Sequence, residues 1–247
     1  MMKNRVALVT GGTGGIGTEI CKALGSAGCH VAASWLAGVD DGESWLAKCK
    51  KEGFEFAIAE GDVSDFDAAA AMVKDVETKL GPIDILVNCA GITKDNFMHK
   101  MEKDQWDAVL RVNLDSVFNV TRSVIMGMRK RGFGRIINIS SVNGQKGQVG
   151  QTNYSAAKAG MHGFTMALAQ ESARKGITVN TVSPGYIATS MVAAMGEKTI
   201  QKMIAQIPVG RLGQPEEIAR VVSFLAADES SFITGANIAI NGGMYMG

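Results

Sequence analysis

Two patterns of hydrophobic and polar positions alternate along the chain. Short apolar runs typical of buried strands are each followed by a longer stretch in which apolar residues recur at helical spacing, as Ile16, Ile20 and Leu24 do. The first helical stretch ends at Gly28. We therefore predict strands at 6–9, 30–34, 54–59, 83–88, 135–140, 178–183 and 237–240, and helices at 16–27, 43–52, 66–80, 103–112, 116–131, 155–175 and 215–227.

Strands that alternate with helices of this length predict an α/β fold. We expect a doubly wound parallel sheet of Rossmann-like type with helices on both faces. No internal repeat, low-complexity segment or linker interrupts the 247 residues, so we expect one domain spanning 1–247. The one long irregular stretch runs from Pro184 to about Thr199, and a stretch of this kind suits a substrate lid around 186–210.

Composition and charge exclude several classes of function. Lys and Arg number 25 against 24 Asp and Glu, so the net charge of +1 gives no electrostatic footprint for nucleic acid or an anionic membrane. The four cysteines form no C-x-x-C pair, and with three scattered histidines they predict no metal site. The first strand begins almost at Met1 and no apolar run reaches membrane-spanning length. We expect a soluble, cytoplasmic protein with reduced cysteines.

The first strand is followed directly by a glycine-rich segment. Residues Gly12 to Gly17 read Gly-Thr-Gly-Gly-Ile-Gly, which satisfies G-x-G-x-x-G. In a chain this rich in glycine such a match arises by chance roughly 0.4 times, so the setting between a strand and a helix carries the weight. There the free N–H groups and the dipole at the helix N-terminus favour an anion such as a dinucleotide pyrophosphate. A glycine-rich turn without a ligand is the alternative. Gly11 also opens a second register, Gly11-x-x-x-Gly15-x-Gly17.

Tyr154 and Lys158 form a second candidate site, on one face of a predicted helix at positions i and i+4. A cation near a phenol lowers its pKa from the usual value near ~10, which would make the phenol a proton donor or acceptor for alcohol–ketone interconversion. Chance alone gives such a pair roughly 0.2 times in this chain. A surface pair with a half-buried tyrosine ring is the alternative.

Five features in order identify a resemblance that covers essentially the whole chain. They are the Gly11/Gly15/Gly17 glycines, the Asn88–Gly91 segment after the fourth strand, Ser141 thirteen residues before Tyr154, Lys158, and Pro184-Gly185 after the next strand. Together they resemble the short-chain dehydrogenase/reductase family. Within it, the stretch 140–154 resembles the branch that reduces acetoacetyl-CoA in polyhydroxybutyrate synthesis. The branch that reduces 3-oxoacyl-acyl-carrier-protein is its nearest neighbour.

The resemblance implies a role for each catalytic residue. Tyr154 would be the general acid in the reducing direction, and Ser141 would hold the substrate carbonyl and stabilise charge on its oxygen. Lys158 would lower the pKa of the tyrosine and bond the nicotinamide ribose, and Asn113 would support a water relay behind it. Ser140 is the rival for the serine role, but the family spacing to the tyrosine favours Ser141.

The resemblance also implies the residues that bind a nicotinamide coenzyme. Asp62 and Val63 match the pair that contacts adenine, and Thr189 matches the position that bonds the carboxamide. Cys89 departs from the usual Asn-Asn-Ala-Gly, and we interpret it as a packed small side chain and not a nucleophile. The complete expected set is Gly11, Gly12, Thr13, Gly14, Gly15, Ile16, Gly17, Asp62, Val63, Asn88, Ala90, Gly91, Tyr154, Lys158, Pro184, Gly185, Ile187 and Thr189.

The residues after the second strand bear on which coenzyme is used. An NAD site places an acidic side chain on the ribose near this strand end, and an NADP site places an arginine nearby. No Lys or Arg lies between His30 and Lys48, whereas Asp40, Asp41 and Glu43 cluster there. The acetoacetyl-CoA branch is known mostly for NADPH, so these residues argue against the resemblance and favour NADH or dual use. Alternatively, the acids face solvent and the backbone binds the 2′-phosphate.

The same resemblance implies the substrate and the assembly. Hydride would pass from NAD(P)H to the 3-keto group of a short acyl-CoA, giving (R)-3-hydroxybutyryl-CoA. We expect Ser141, Gln148, Gln151, Tyr154 and Tyr186 to contact this small-molecule substrate, although the glutamines could instead structure their loop. The helices that lead from Asn113 and Tyr154 are apolar over more than one face, which favours the homotetramer of family members.

Two other functions remain open. A 3-oxoacyl-acyl-carrier-protein reductase would need a basic patch for its acidic carrier, and only 129–131 offers one. A catalytically silent cofactor-sensing module would typically have lost Tyr154 or Lys158, whereas this chain keeps the full set.

Overall fold

Seven parallel strands are hydrogen-bonded into one sheet in the order β3-β2-β1-β4-β5-β6-β7. The computed structural model describes residues 2–246, except for the side chain of Met191. The strands are β1 (Val6–Thr10), β2 (His30–Trp35), β3 (Ala57–Glu60), β4 (Ile85–Asn88), β5 (Gly134–Ile139), β6 (Ile177–Pro184) and β7 (Asn237–Ile240). The predicted parallel, doubly wound sheet is confirmed.

Helices connect successive strands and cover both faces of the sheet. They are α1 (Gly15–Ser26), α2 (Gly42–Lys51), α3 (Phe66–Leu80), α4 (Lys103–Leu110), α5 (Ser116–Arg131), α6 (Val142–Lys146), α7 (Thr152–Ser172), α8 (Ser190–Ala193), α9 (Glu197–Ile204) and α10 (Pro215–Ala226). A π-helical turn, Arg111–Asp115, joins α4 to α5, and short 3₁₀ turns lie at Met98–Lys100, Ala173–Lys175 and Asp228–Ser230. None of the helices within residues 2–246 is long and apolar enough to cross a membrane.

Two apolar clusters lie on opposite faces of the sheet because successive side chains of a strand point to opposite sides. In β1, Ala7 and Val9 join the cluster that packs against α1 and α10. Val6 and Leu8 join the other cluster, which packs against α3, α5 and α7. This double burial explains why the strands read as continuous apolar runs instead of alternating ones.

The order of the strands determines where a site can form. β1 lies between β2 and β4, so the connections that leave β1 and β4 diverge to opposite sides of the sheet. In such sheets a ligand crevice opens at the carboxyl ends of the strands, at this point of divergence. Most of the predicted site residues lie in the segments that follow β1, β3, β4, β5 and β6, and these segments meet at the same edge.

The structure corrects the prediction at several places, of which three bear on the site or its neighbourhood. The stretch from Pro184 to Thr199 is not wholly irregular, because it contains α8 and the start of α9. β3 begins at Ala57 and not at position 54, because its backbone pairing with β2 starts where Ala57 lies opposite Ala32. α6 was not predicted at all, since it is a single short helix that Ser141 caps by accepting a hydrogen bond from Asn143 N.

Candidate active site

The glycine loop after β1 lies against the end of β2. Gly11 has φ +60°, and its N–H donates to Ser34 Oγ at 3.1 Å, while the Gly12 N–H donates to the Ser34 carbonyl at 3.2 Å. A Cβ on Gly12 would lie 2.6 Å from Ala33 Cβ, and one on Gly17 would lie 2.2 Å from the Gly11 carbonyl oxygen. The glycines are therefore required by close approach of backbone to backbone. Ser34 was not among the predicted site residues. It holds the glycine loop against β2 by accepting these two hydrogen bonds.

The loop and the start of α1 fit a pyrophosphate. Gly14 is the N-cap residue of α1 and supplies no side-chain cap, so the first N–H groups of the helix stay free to bind an anion. The hydroxyl of Thr13 is buried without a hydrogen-bond partner within the described chain. Thr189 closes the other side, since a Cβ on Gly15 would lie 3.2 Å from Thr189 Cγ2. The adjacent Ile16 packs against the α1 face of the sheet.

The segment after β4 is held in place by Thr10, whose hydroxyl accepts hydrogen bonds from Cys89 N at 3.0 Å and Ala90 N at 3.2 Å. The Asn88 side chain is buried and donates to Asn138 Oδ1 at 2.8 Å, so it ties β4 to β5 and does not face the crevice. Burial raises the pKa of the Cys89 thiol to about 11, as expected of a packed, protonated side chain. Thr10 was not among the predicted site residues, and the sequence feature that could have indicated its role is its position immediately before the glycines.

The remaining coenzyme candidates also lie at the carboxyl edge. Asp62 follows β3, and its carboxylate accepts the Ser64 N–H at 2.8 Å. Val63 is buried, and its carbonyl accepts the Asn119 amide at 3.0 Å. Pro184 ends β6, and the next residue, Gly185, donates its N–H to the Ile240 carbonyl at 2.8 Å.

Tyr186 and Ile187 connect β6 to the segment that carries α8 and α9. Ile187 is buried and bridges to Gly213, whose N–H donates to the Tyr186 carbonyl at 2.9 Å. The phenol of Tyr186 is half-buried, and burial raises its pKa. The beginning of the expected lid is therefore anchored to the loop before α10.

Ser141, Tyr154 and Lys158 are brought together although they lie on different elements. The Ser141 hydroxyl lies beside the Tyr154 phenol, where hydrogen bonding acts to lower the pKa of the phenol. Lys158 Nζ lies 5.5 Å from the centroid of the Tyr154 ring and donates to the Ile139 carbonyl at 2.9 Å. The phenol, the hydroxyl and the ammonium thus occupy one small volume between the end of β5 and α7.

Asn113 reaches the same volume from the π-helical turn. Its amide nitrogen donates to the carbonyls of Ile92 and Val109, each at 2.9 Å. Its Oδ1 is buried without a partner within the described chain. A Cβ on Gly91 would lie 2.6 Å from this oxygen and 3.4 Å from Lys158 Nζ, so both groups face the Gly91 backbone. A π-helical turn at such a position is typical of functional sites.

The two candidate serines have different environments. Ser140 is buried and donates its hydroxyl to the Lys158 carbonyl at 2.8 Å, which points it away from the phenol. Ser141 is the one that contacts Tyr154. The geometry therefore favours Ser141 for the role beside the phenol, as the spacing predicted.

The pKa values differ from the expectation. Burial raises the pKa of Tyr154 to about 12, against an opposing effect of its hydrogen bond to Ser141. Burial also lowers the pKa of Lys158 to about 8. The net shift of the Tyr154 pKa is upward because desolvation outweighs the lowering effect of Ser141, and the role expected of Lys158 stays a prediction. The phenol is consequently protonated at neutral pH, the form that can give a proton.

The two glutamines are engaged in their own loop. Gln151 donates to Asp95 Oδ2 at 2.8 Å and accepts from the Asn143 amide at 2.9 Å. Gln148 Oε1 accepts from Lys146 Nζ at 3.1 Å. These bonds favour the alternative that the glutamines structure the loop, with Gln151 linking the segment after β4 to α6.

The acidic cluster lies beside the end of β2. A Cβ on Gly42 would lie 2.7 Å from the Trp35 ring, so the start of α2 packs directly on this strand end. Asp41 caps α2, accepting the Ser44 N–H at 3.0 Å. Asp40 precedes it in the same turn, and Glu43 is exposed in the first turn of α2.

Comparison with known proteins agrees with this geometry. The family model described as short chain dehydrogenase matches residues 5–200. The chain is 59% identical to the acetoacetyl-CoA reductase of Shinella zoogloeoides and 58% identical to that of Allochromatium vinosum, over 98% of this chain and 99% of each relative. It is 45% identical to the 3-oxoacyl-acyl-carrier-protein reductase of Pseudomonas aeruginosa, over 99% of both. The chain belongs to the short chain dehydrogenase family and is an oxidoreductase that uses a nicotinamide coenzyme.

Gly91→Ala tests the packing around Lys158. We expect at least tenfold weaker binding of NADH and of NADPH, because the new methyl group forces Asn113 Oδ1 and Lys158 Nζ apart. The measurement is a fluorescence titration of each coenzyme. Gly163→Ala is the matched control, since a Cβ there meets nothing within 4 Å and α7 should gain up to ~1 kcal/mol. Equal coenzyme affinity in the two variants would contradict the expectation.

Proposed function

We propose that this chain reduces acetoacetyl-CoA to (R)-3-hydroxybutyryl-CoA with NAD(P)H, as a step toward polyhydroxybutyrate. The observation that carries the proposal is the grouping of the Tyr154 phenol, the Ser141 hydroxyl and the Lys158 ammonium, 5.5 Å from the tyrosine ring centroid, at the crevice that the glycine loop also borders. The names of the full-length relatives support acetoacetyl-CoA as the substrate.

The proposed mechanism assigns acid catalysis to Tyr154. The bound coenzyme supplies hydride to the C3 carbonyl carbon. As the carbonyl π electrons move onto oxygen, Tyr154 donates its phenolic proton to that oxygen, and the Ser141 hydroxyl donates a hydrogen bond to the developing negative charge. The phenol begins the step protonated, because burial raises its pKa to about 12.

Lys158 and Asn113 support the proton transfer. The phenolate that forms on Tyr154 is stabilised by the Lys158 ammonium, which is 5.5 Å from the ring centroid. A lysine pKa of about 8 lets this group both carry charge at neutral pH and release a proton to restore the phenol. Asn113 Oδ1 faces the same ammonium across Gly91 and can accept a proton-relay hydrogen bond.

The acyl-carrier-protein alternative is disfavoured by where the basic residues lie. Arg129, Lys130 and Arg131 end α5, and Arg131 Nε lies 3.6 Å from Asp84, which directly precedes β4. This is the amino edge of the sheet, opposite the Tyr154 site. A carrier docked there would bind at the edge of the sheet away from Tyr154. The cofactor-sensing alternative is disfavoured because Asn113, Ser141, Tyr154 and Lys158 are all present and adjacent.

We further propose that NADH is preferred or that both coenzymes are used. The N-terminal turn of α2 places Asp41 and Glu43 beside the end of β2, where a 2′-phosphate would meet repulsion and no arginine. Asp41 has a structural role as well, since it caps α2. Its charge and its cap can be separated, because asparagine caps a helix as well as aspartate does.

The proposed assembly is a homotetramer built partly on α5 and α7. A groove of about 590 Å³ runs between these helices, lined by Ile125, Phe164 and Leu168 among others. Phe118 and Met166 are about half exposed on the same helices. Contiguous exposed apolar surface of this kind marks a protein interface.

We also propose that the chain forms one domain and that residues 186–210 are its substrate lid. We propose that the protein works in the cytoplasm, because its four unpaired cysteines are typical of a reducing compartment.

The first test of the proposed function measures oxidation of NADH and of NADPH in parallel, with acetoacetyl-CoA as substrate. We expect turnover with NADH at least equal to that with NADPH. Tyr154→Phe should lower kcat by a factor of about 10²–10⁴, because the proton donor is removed. No turnover with either coenzyme, or full turnover in Tyr154→Phe, would contradict the proposal.

Asp41→Asn tests the basis of coenzyme preference. We expect kcat/KM with NADPH to rise severalfold relative to NADH while the melting temperature stays unchanged, because the charge is lost and the α2 cap is kept. Asp65→Asn is the matched control, since Asp65 caps α3 in the same way, accepting the Ala68 N–H at 2.8 Å. An unchanged NADPH/NADH ratio in Asp41→Asn would overturn the assignment.

Light scattering tests the assembly. At micromolar concentration we expect a mass four times the 26.0 kDa of one chain. Phe118→Glu should lower that mass, because burying a carboxylate in the α5–α7 interface is costly. A mass of one chain for the unaltered protein would contradict the proposal.

A further inference from the structure

His162 lies on α7 one turn after Lys158 and contacts two strand ends. Its Nε2 lies 3.0 Å from Ser140 Oγ and 3.4 Å from Ser183 Oγ. Ser140 follows β5, and Ser183 belongs to the neighbouring β6. The sequence alone suggested only a packing residue on the helix stripe. The contacts show a polar connection between the helix that carries Tyr154 and the strands beneath it.

The direction of these hydrogen bonds follows from their other partners. The Ser140 hydroxyl donates to the Lys158 carbonyl at 2.8 Å, and the Ser183 hydroxyl donates to Asn237 Oδ1 at 2.7 Å. Neither acceptor oxygen has a proton to give, so each serine offers only lone pairs to the imidazole. His162 must therefore carry its proton on Nε2 and donate it, chiefly to Ser140. Burial lowers the pKa of His162, which favours the neutral ring.

Residues 139, 140 and 141, at the end of β5, each contact a different part of Lys158 or Tyr154. The Ile139 carbonyl accepts from Lys158 Nζ, the Ser140 hydroxyl donates to the Lys158 carbonyl, and the Ser141 side chain bonds Tyr154. Ser140 is the central member of this segment. A rotation of the Ser140 side chain or a shift of its backbone would move both neighbours relative to α7.

We propose that His162 is a positioning residue for the reaction: its Nε2–H fixes the Ser140 hydroxyl, and through it the segment 139–141 that holds Lys158 and Tyr154. The proposal rests on the proposed reductase function for its kinetic consequence. Within the described residues, the hydrogen bonds of His162 reach Ser140 and Ser183 but neither Tyr154 nor the Lys158 ammonium. Its effect therefore passes through Ser140. The contact to Ser183 extends the same connection to β6.

Two substitutions separate the hydrogen bond from the packing of the ring. His162→Leu fills similar space without a donor, and His162→Gln places an N–H near the position of Nε2. We expect kcat for acetoacetyl-CoA reduction to fall about tenfold in His162→Leu and to stay within threefold of the unaltered protein in His162→Gln. The KM values for both substrates should change less than twofold. Equal kcat in His162→Leu and the unaltered protein would overturn the proposal, as would equal losses in the two variants.

A double-mutant cycle tests whether the effect passes through Ser140. Ser140→Ala should lower kcat by a similar factor, and adding His162→Leu to it should cost less than a further twofold. Multiplicative losses would show that His162 acts independently of Ser140 and would overturn the proposal. The melting temperature of each variant shows whether it folds. If His162→Leu does not fold, the kcat values of His162→Gln and Ser140→Ala are compared instead: a near-normal value for the first with a loss in the second supports the proposal, and any other result overturns it.

The tautomer can be measured without any turnover. In protein labelled with ¹⁵N-histidine, long-range ¹H–¹⁵N correlation at neutral pH should show His162 as the neutral Nε2–H form. The signals are assigned by their absence from His162→Gln. An Nδ1–H form would overturn the proposal. Loss of turnover in the unaltered protein, with the Nε2–H form present, would instead count against the proposed function and leave the hydrogen-bond assignment standing.

Discussion

The burial of the Lys158 ammonium, away from water, determines how the active site is arranged. Lys158 is 3% exposed, and moving such a charge out of water costs several kcal/mol unless polar partners replace the solvent. The Ile139 carbonyl supplies one partner, and Asn113 Oδ1 lies close by across Gly91. The end of β5, the π-helical turn and the segment after β4 must therefore all converge on one atom. The same burial lowers the pKa of Lys158 to about 8.

Close backbone contact makes that convergence possible. A side chain on Gly91 would separate Asn113 from Lys158, one on Gly12 would push the loop off β2, and one on Gly17 would push α1 off the loop. The parallel sheet then brings the loops after β1, β4, β5 and β6 to one edge. Coenzyme binding and proton transfer are supported by the same strands, so the two functions share one rigid frame.

Burial and tertiary contacts also explain why the structure differs from predictions that were based on residue types alone. A lysine beside a tyrosine predicted a lowered phenol pKa, but desolvation of Tyr154 raises it to about 12. Gln151 was expected to contact the substrate, but its side-chain amide is hydrogen-bonded to both Asp95 and Asn143. Asp41 carries a negative charge, as the sequence shows, yet it also caps α2. The burial of Tyr154 and the contact of Gln151 with Asp95 depend on segments distant in the sequence, whereas the Asp41 cap is a local contact with Ser44 N.

The sequence by itself determined the alternation of strands and helices, the parallel sheet, the glycine loop and the membership of one family, because these depend on local periodicity and on motifs of fixed spacing. Helix α3 and strand β7 were predicted at their observed bounds for that reason. Only the tertiary structure decided the direction of the pKa shifts, the different environments of Ser140 and Ser141, and the contacts of His162. Those properties depend on which groups from distant segments meet out of water, and no local pattern records that.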